Sequence, residues 1–203
     1  MAFARSTLGE QAATRCTGEP GITEAPEVRA LVDKAIAGNV EAFGDLYSIY
    51  LDRIYRYVFY QVHNREVAED LTEEVFVKAW RSIGRYRWEG RPFSAWLYRI
   101  AHNHVVDHFR THRRHEPLEI DIPDDGEQPD EAVERQQMKE LVLRALARLP
   151  QQQRQLITLK FVEELGNEAI EQIMEKSQGA IRIMQMRALA ALRRKLSEEM
   201  ERC

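Results

Sequence analysis

Apolar residues recur at every third or fourth position through most of the chain, beginning near residue 26. This spacing places them on one face of a helix and predicts amphipathic helices. In the first half, the apolar stripes fall at 28–36, 43–58, 67–83 and 93–109. Pro92 precedes the last stripe, where proline suits the first turn of a helix. No segment shows the strict alternation typical of a half-buried strand, so the sequence predicts an all-α fold.

Two helical domains are predicted, each preceded by a segment without periodicity. Residues 1–25 contain scattered Gly, Pro, Thr and Glu and are interpreted as a flexible tail. Residues 26–114 form the first domain, and residues 135–203 form the second. Between them, 115–134 is interpreted as an acidic linker, since prolines and a glycine stand among clustered acids. In the second domain, helices near 167–175 and 178–199, joined by a short turn, outline a helix-turn-helix.

The composition is that of an ordinary globular protein, with 203 residues, 44% apolar and 31% charged. No apolar run is long enough to span a membrane and the N-terminus lacks a signal-peptide core, so a cytoplasmic protein without a membrane partner is expected. Cys16 and Cys203 fit neither a disulfide framework nor a zinc site. We therefore expect free thiols, with no metal and no cofactor.

Charge is strongly segregated along the chain, although the net charge is only -4. Residues 85–114 carry seven basic and two acidic groups, and 115–134 carry no basic and nine acidic groups. Residues 135–203 are again basic, with thirteen cations and nine acids. Local potentials of both signs are therefore expected. Two basic regions remain compatible with nucleic-acid binding.

Four segments, in order, resemble the signatures of bacterial RNA polymerase sigma factors of the extracytoplasmic-function group. They are DLTEEVFVKAW, FSAWLYRIAHN, RLPQQQRQLITLKFVEEL and KSQGAIRIMQMRALAALRRKL, within residues 70–196. The resemblance covers roughly residues 27–198. It implies a promoter-specificity subunit that binds core RNA polymerase, recognises the -10 and -35 elements of promoter DNA and assists melting. An anti-sigma factor is implied as a further partner, and the subunit itself is not an enzyme.

The resemblance implies that the helix around residues 70–80 docks on a coiled coil of the largest polymerase subunit. Its acids, interleaved with aromatic residues, suit a partner helix that bears arginines. The candidate polymerase-binding residues are Asp70, Glu73, Glu74, Phe76 and Lys78.

Arginine and aromatic residues are combined in the loop after Gly84 and in the helix that follows it. Cations neutralise phosphates and aromatic rings stack on unpaired bases. The resemblance implies that this loop captures a flipped base of the -10 element. The candidates are Arg85, Tyr86, Arg87, Trp88, Arg91, Asn103, Asp107, Arg110 and Arg113. On the loop, Tyr86 and Trp88 are predicted to bind DNA, whereas Trp96 is predicted to be core.

The last helix is implied to read the -35 element in the major groove, since a recognition helix presents its first turns to base edges. The candidates are Ser177, Gln178, Ala180, Arg182, Gln185 and Arg187, with Ser177 also the predicted N-cap. Glu171 and Glu175 stand where the family usually has a small residue and a glycine. We expect Glu171 near the helix–helix contact and Glu175 in a left-handed turn, and both to weaken -35 recognition.

Three other interpretations remain open. The chain could be a free-standing helix-turn-helix regulator, or a degenerate sigma-like protein with impaired -35 recognition. It could also respond to a metal, because His104, His108 and His112 recur every four residues on one helical face. For the histidines we favour a helix that faces DNA phosphates.

Overall fold

The computed structural model describes residues 24–111 and 131–201, which form eight α-helices. They are α1 (Pro26–Ile36), α2 (Val40–Val62), α3 (Arg65–Ser82), α4 (Phe93–Thr111), α5 (Glu131–Ala147), α6 (Gln151–Ile157), α7 (Asn167–Met174) and α8 (Gln178–Met200). A 3-10 turn follows α3 and a π-helical turn, Thr158–Val162, continues α6. The described residues contain no strand, which confirms the all-α prediction.

Parts of two predicted segments are not described. Residues 1–23 of the predicted tail and residues 115–130 of the predicted acidic linker lie outside the described residues, as do residues 112–114 at the end of the predicted first domain. Helix α5 begins at Glu131, so its first turn overlaps the last positions of the segment predicted as linker.

Polar side chains cap three of the helices. Asn39 Oδ1 accepts a hydrogen bond from Ala42 N at 2.7 Å at the start of α2. Asn64 does the same for α3. At α8, Ser177 Oγ accepts from Ala180 N at 3.3 Å, which confirms the predicted N-cap. Each cap satisfies an amide that the first helical turn leaves without an intrahelical partner.

Helices α1 to α4, the first helical group, bury the apolar stripes predicted from the sequence. Leu46 and Ile54 of α2, Val75 of α3 and Leu97 of α4 are all buried. Tyr57 and Tyr98 meet edge to face at the centre of this group, with ring centroids 5.6 Å apart.

Helices α5 to α8, the second helical group, end in the predicted helix-turn-helix. Ile170 and Ile173 of α7 and Ile181 of α8 are buried. Glu175 ends α7 at φ 54° and ψ 43°, which confirms the predicted left-handed turn. Phe161, near the end of the π-helical turn, is exposed.

The two helical groups pack directly against each other. Helix α7 lies along α4, while α6 and the π-helical turn contact α2. One cluster of buried apolar residues includes members of both groups, among them Leu97, Leu156 and Ile170. The position of α7 on α4 therefore decides which surfaces of the first group stay open.

Candidate nucleic-acid interface

The loop between α3 and α4 is held in place by Tyr86. This residue is only 4% exposed, and its ring packs against those of Phe93 and Trp96. Its hydroxyl donates to the carbonyl oxygen of Arg91 at 2.7 Å, which closes the loop on itself. The prediction that the Tyr86 ring binds a base is therefore wrong for this conformation. The ring is buried because the start of α4 provides an aromatic pocket for it.

Trp88 is held against α1. Its Nε1 donates to Asp33 Oδ1 at 2.9 Å, and the Arg29 guanidinium lies 4.9 Å from the ring centroid. Trp88 is half-buried, so part of the indole remains accessible. DNA binding by Trp88 stays a prediction. Trp96 packs on Phe93, as expected of a core residue, yet it also borders open space.

A cavity of about 180 Å³, here called the loop cavity, opens between this loop and α4. Four arginines line it together with the indole of Trp96 and one acid, Glu89. The arginines are Arg85, Arg87, Arg91 and Arg99. Gln172 of α7 closes one side. A cationic pocket with an aromatic wall suits an unpaired base flanked by phosphates.

The candidate residues farther along α4 share one face with Arg99. Asn103, Asp107 and Arg110 follow Arg99 at intervals of three and four residues and are exposed. Asp107 Oδ1 lies 3.1 Å from Arg110 Nη2, so this acid orients a cation at the surface. Arg113 lies outside the described residues. The exposed face of α4 thus extends the cationic surface of the loop cavity.

On α3, Phe76 is not available to a partner. It is 5% exposed and packs edge to face on Tyr47, with centroids 4.7 Å apart. The prediction of Phe76 as a polymerase contact is therefore corrected, because its position on the helix points into the core. Val77 and Trp80, which are 46% and 38% exposed, supply the apolar surface instead. Val77 was missed, although it follows Asp70 by seven residues and Glu73 by four, which places all three on one helical face.

Glu74 and Lys78 converge on His104 of α4. Lys78 Nζ donates to His104 Nδ1 at 2.5 Å, and His104 Nε2 lies 2.9 Å from Glu74 Oε2. Burial, helped by the Lys78 charge, lowers the pKa of His104, so the ring stays neutral at pH 7. His104 therefore faces α3, and the expectation that it faces DNA phosphates is wrong. Asp70 and Glu73 are exposed, as predicted.

His104 and His108 are the two members of the histidine row that the structure describes. No group of three His, Cys, Asp or Glu side chains in residues 24–111 and 131–201 is placed to hold an ion. His108 contacts the ring of Phe109, and His112 lies outside the described residues. Within the same ranges, no helix is long and apolar enough to cross a membrane.

The six -35 candidates do not share one face of α8. At about 100° per residue, Gln178, Arg182 and Gln185 fall within about 60° of one another. Ala180 and Arg187 lie about half a turn away. Arg182 and Arg187 are both exposed and border a strip in which Ile183 and Met186 are also exposed. This strip, rather than all six positions, forms a continuous surface.

An open cleft of about 920 Å³, here called the inter-group cleft, lies between Arg91 and Arg99 on one side and α7 with the start of α8 on the other. Arg91 and Arg99 line it from the first group, opposite three acids of the second, Glu168, Glu171 and Glu175. Glu175 forms an ion pair with Arg99. Glu171 is half-buried and lines this cleft, where it reaches water. This position removes the cost expected of a carboxylate at the contact of α7 with α8.

Both halves of the chain match one family of known proteins. The sigma-70 region 2 family model matches residues 46–115, and the sigma-70 region 4 model matches residues 139–192. The extracytoplasmic-function (ECF) RNA polymerase sigma factor BldN of Streptomyces coelicolor is 38% identical over 181 residues, covering 87% of this chain and 69% of BldN. ECF sigma factor SigW of Bacillus subtilis is 28% identical over 84% of this chain and 97% of its own.

Solved structures show a similar fold. CnrH, solved with the cytosolic domain of CnrY, superposes with a TM-score of 0.66 at 22% identity, covering 85% of this chain and 98% of CnrH. The sigma factor RpoE of Bartonella quintana, solved with the anti-sigma factor NepR, gives a TM-score of 0.63 at 23% identity. The match covers 78% of this chain and 98% of RpoE.

Proposed function

The chain belongs to the extracytoplasmic-function group of RNA polymerase sigma factors, and from that premise we propose how its residues divide the work of a promoter-specificity subunit. As predicted from its motifs, the protein binds core RNA polymerase, recognises two promoter elements and assists DNA melting. It acts in the cytoplasm, where polymerase and promoter DNA lie. It is not itself an enzyme, because the polymerase performs the chemistry.

The loop cavity is the proposed binding site for the melted -10 strand, and it is the main observation that supports the proposed function. Arg85, Arg87 and Arg91 present cations on a short loop that Tyr86 keeps rigid. Trp96 offers an aromatic wall to a base that has left the duplex. A preformed cationic pocket reduces the ordering cost of strand capture, because the loop need not rearrange. Asn103 and Arg110 then contact DNA upstream along α4.

The outward face of α3 is the proposed polymerase contact. Asp70 and Glu73 present negative charge, while Val77 and Trp80 present apolar area between and beside them. Charge sets the orientation and rate of encounter with a basic partner helix, and burial of the apolar residues adds affinity.

The exposed strip of α8 is the proposed -35 reader. Arg182 and Arg187 can donate to guanine or to phosphates, and Ile183 and Met186 can contact thymine methyl groups. Glu175, close to the start of this helix, adds negative charge near the DNA and keeps impaired -35 recognition as the second candidate function. An anti-sigma factor is proposed as a further partner, as the family resemblance implies.

Transcription in vitro with core polymerase on genomic DNA, with start sites mapped, tests this assignment. We expect the wild-type chain to co-purify with core enzyme and to direct specific starts. Arg91→Gln should impair strand opening, measured by permanganate reactivity of unpaired thymines, without weakening core binding. Lys34→Gln, which removes an exposed cation of α1 outside the loop cavity, is the matched control.

Two results would contradict the assignment. DNA binding without any association with core enzyme would favour a free-standing regulator. Equal strand opening by Arg91→Gln and Lys34→Gln would remove the loop cavity as the -10 site.

A further inference from the structure

We propose that the start of α1 holds the loop before α4 in the shape that captures the melted strand, with Glu24 and Asp33 as positioning residues for strand opening. The loop, here called the -10 loop, is residues 86–92, and its arginines line the loop cavity. Glu24 holds the end of the -10 loop and Asp33 holds its middle. These two contacts are called the α1 brace. The inference rests on the proposed function of the loop cavity, which neither acid lines.

Glu24 lies just before α1 and supplies the cap that α4 lacks. The amide of Trp96 donates to the carbonyl oxygen of Pro92 at 3.2 Å, which makes Pro92 the N-cap of α4. A proline side chain offers no acceptor to the free amides of the first turn. Instead, Glu24 Oε2 accepts from Phe93 N and Glu24 Oε1 accepts from the Tyr50 hydroxyl, each at 2.5 Å. One carboxylate therefore ties α2 to the residue at which the -10 loop becomes a helix.

The surroundings of Glu24 keep this contact in place. Glu24 is half-buried, and its negative charge lies at the positive end of the α4 dipole. Burial, and next the charge of Glu24, raise the pKa of Tyr50, so its hydroxyl remains a donor. The same two causes raise the pKa of Tyr86, whose hydroxyl donates to the carbonyl oxygen of Arg91. Glu24 therefore lies close to the hydrogen bond that closes the -10 loop.

Asp33 fixes the orientation of Trp88 in the middle of the -10 loop. Asp33 Oδ1 accepts from Trp88 Nε1 at 2.9 Å, and the guanidinium of Arg29, one turn earlier on α1, lies 4.9 Å from the ring centroid. The Tyr86 ring meets the indole edge to face, with centroids 5.3 Å apart. An acceptor, a cation and a ring thus restrict rotation of the indole. Its accessible part is therefore presented to DNA in one orientation.

Charge and positioning predict opposite results when either acid is removed. An acid near a cationic DNA site repels phosphates, so its loss should by charge alone strengthen DNA binding. A positioning acid preorganises the loop, and without it the loop also adopts shapes that do not fit the strand. Glu24→Ala and Asp33→Ala should therefore impair strand opening, although each makes the chain more positive.

Conservative variants separate the acceptor oxygen from the charge. Asp33→Asn keeps an oxygen that can accept from Trp88 Nε1. Glu24→Gln keeps an oxygen for Phe93 N, and its amide nitrogen can donate to the Tyr50 hydroxyl, which also accepts. Both variants lose the same charge as the alanine variants, yet they should restore strand opening. Glu24→Asp keeps the charge but is one methylene shorter, so it should open the promoter less than Glu24→Gln does.

Permanganate reactivity of unpaired thymines measures strand opening by core polymerase with each variant, on a promoter fragment taken from the mapped start sites. Loss of a net hydrogen bond shifts an equilibrium by about fivefold, so Glu24→Ala and Asp33→Ala should each lower the open-to-closed ratio about fivefold. Glu27→Gln is the matched control, because it removes the same charge from an exposed residue in the first turn of α1. Co-purification with core polymerase should be equal for all variants.

Exchange of the Trp88 indole N–H with water, measured by NMR, reports the α1 brace without polymerase or DNA. Trp88→Phe assigns this resonance among those of the three tryptophans. Asp33→Ala should speed the exchange about fivefold, since the N–H loses its acceptor. Asp33→Asn and Glu27→Gln should keep the wild-type rate.

A double-variant cycle decides the role of Asp33 if Glu24→Ala folds poorly by circular dichroism. Trp88→Phe removes the indole N–H, so Asp33→Ala should impair strand opening in the wild-type chain and add nothing in Trp88→Phe. Equal effects of Asp33→Ala in the two chains overturn its assignment. For Glu24, wild-type opening by Glu24→Asp together with impaired opening by Glu24→Gln would overturn its assignment, because charge alone would then matter.

The α1 brace and the proposed function fail in different ways. Wild-type opening by Glu24→Ala and Asp33→Ala, with impaired opening by Arg91→Gln, overturns the brace and leaves the loop cavity as the -10 site. Unchanged indole exchange in Asp33→Ala, or equal impairment by Asp33→Ala and Asp33→Asn, also overturns the brace. Wild-type opening by Arg91→Gln overturns the proposed function of the loop cavity, whatever the brace variants do.

Discussion

His63 should make the stability of the protein depend on pH in the acid range. It ends α2, is fully buried at φ 55°, and has no partner for either ring nitrogen. Burial, with the Arg154 charge as a second cause, lowers its pKa from 6.5 to about 3. The folded protein therefore holds this histidine neutral at pH values where the unfolded chain protonates it.

The sign and size of the effect follow from linkage. The folded pKa is depressed, so the contribution of His63 is complete above pH 6.5 and is lost as the pH falls towards 3. At pH 5, about 1.5 pH units below the pKa of the unfolded chain, each pH unit corresponds to about 1.36 kcal/mol. The free energy of unfolding should therefore be about 2 kcal/mol lower than at pH 7.

Denaturant unfolding of wild type and His63→Asn, followed by circular dichroism at pH 7 and pH 5, measures this difference. Asparagine tolerates the left-handed conformation, so the variant keeps the backbone. His102 and His104, whose pKa values are also lowered, are present in both chains and cancel in the comparison. Between pH 7 and pH 5, the free energy of unfolding should fall by about 2 kcal/mol more in wild type than in His63→Asn. Equal losses would refute the argument that burial of this ring controls its protonation.

Three further predictions concern stability and partner binding. Phe76→Ala should lower the free energy of unfolding by about 3–5 kcal/mol in urea titrations, whereas Val77→Asp should change it by less than about 0.5 kcal/mol yet weaken co-purification with core polymerase. Ser177→Ala should lower the free energy of unfolding by about 1 kcal/mol, because α8 loses its N-cap, and a lower Tm would show this. Glu175→Gly removes backbone strain of about 1–2 kcal/mol, but it also removes the ion pair with Arg99. Because about 1 M NaCl screens this ion pair, the gain in Tm of the variant over wild type should be larger at that salt concentration than in dilute buffer.

The helices and their buried faces were predictable because the signal is local. Leu46, Ile54 and Leu97 recur with the helical period, and that period alone places them on one side of their helices. The turn before α8 was predictable for the same reason, since a short turn between two patterned helices leaves few conformations for Glu175. Such features need no knowledge of distant residues.

The burial of particular aromatic residues was not predictable from the pattern. Tyr86 stands in a loop without periodicity, and only the arrival of Phe93 and Trp96 makes a pocket for its ring. Phe76 has acids two and three positions before it, which gave the impression of a surface residue. On the helix it lies about 120° from Asp70 and about 160° from Glu74, so it faces the core while these two acids face solvent.

The contact of Glu163 with Arg56 was beyond prediction because the two residues are far apart in the chain. Arg56 and Glu163 are separated by 107 residues, and nothing in the composition around either one indicates the other. Glu163 lies in a segment that contains Glu164 and several polar neighbours, so its burial could be known only from the packed structure.

Glu171 and Glu175 show how a break in a local rule gains a physical reason from tertiary structure. From the sequence, a carboxylate in place of glycine brings strain and repels DNA, and both effects argue for a weak reader. In the structure, the same charge meets Arg99, a cation of the proposed -10 surface. The repulsion of DNA and the pairing of Arg99 act in one direction, since each lowers the affinity of this surface for DNA phosphates. The ion pair with Arg99 offsets part of the left-handed strain at Glu175, and a glycine at this position would remove both the strain and the pair.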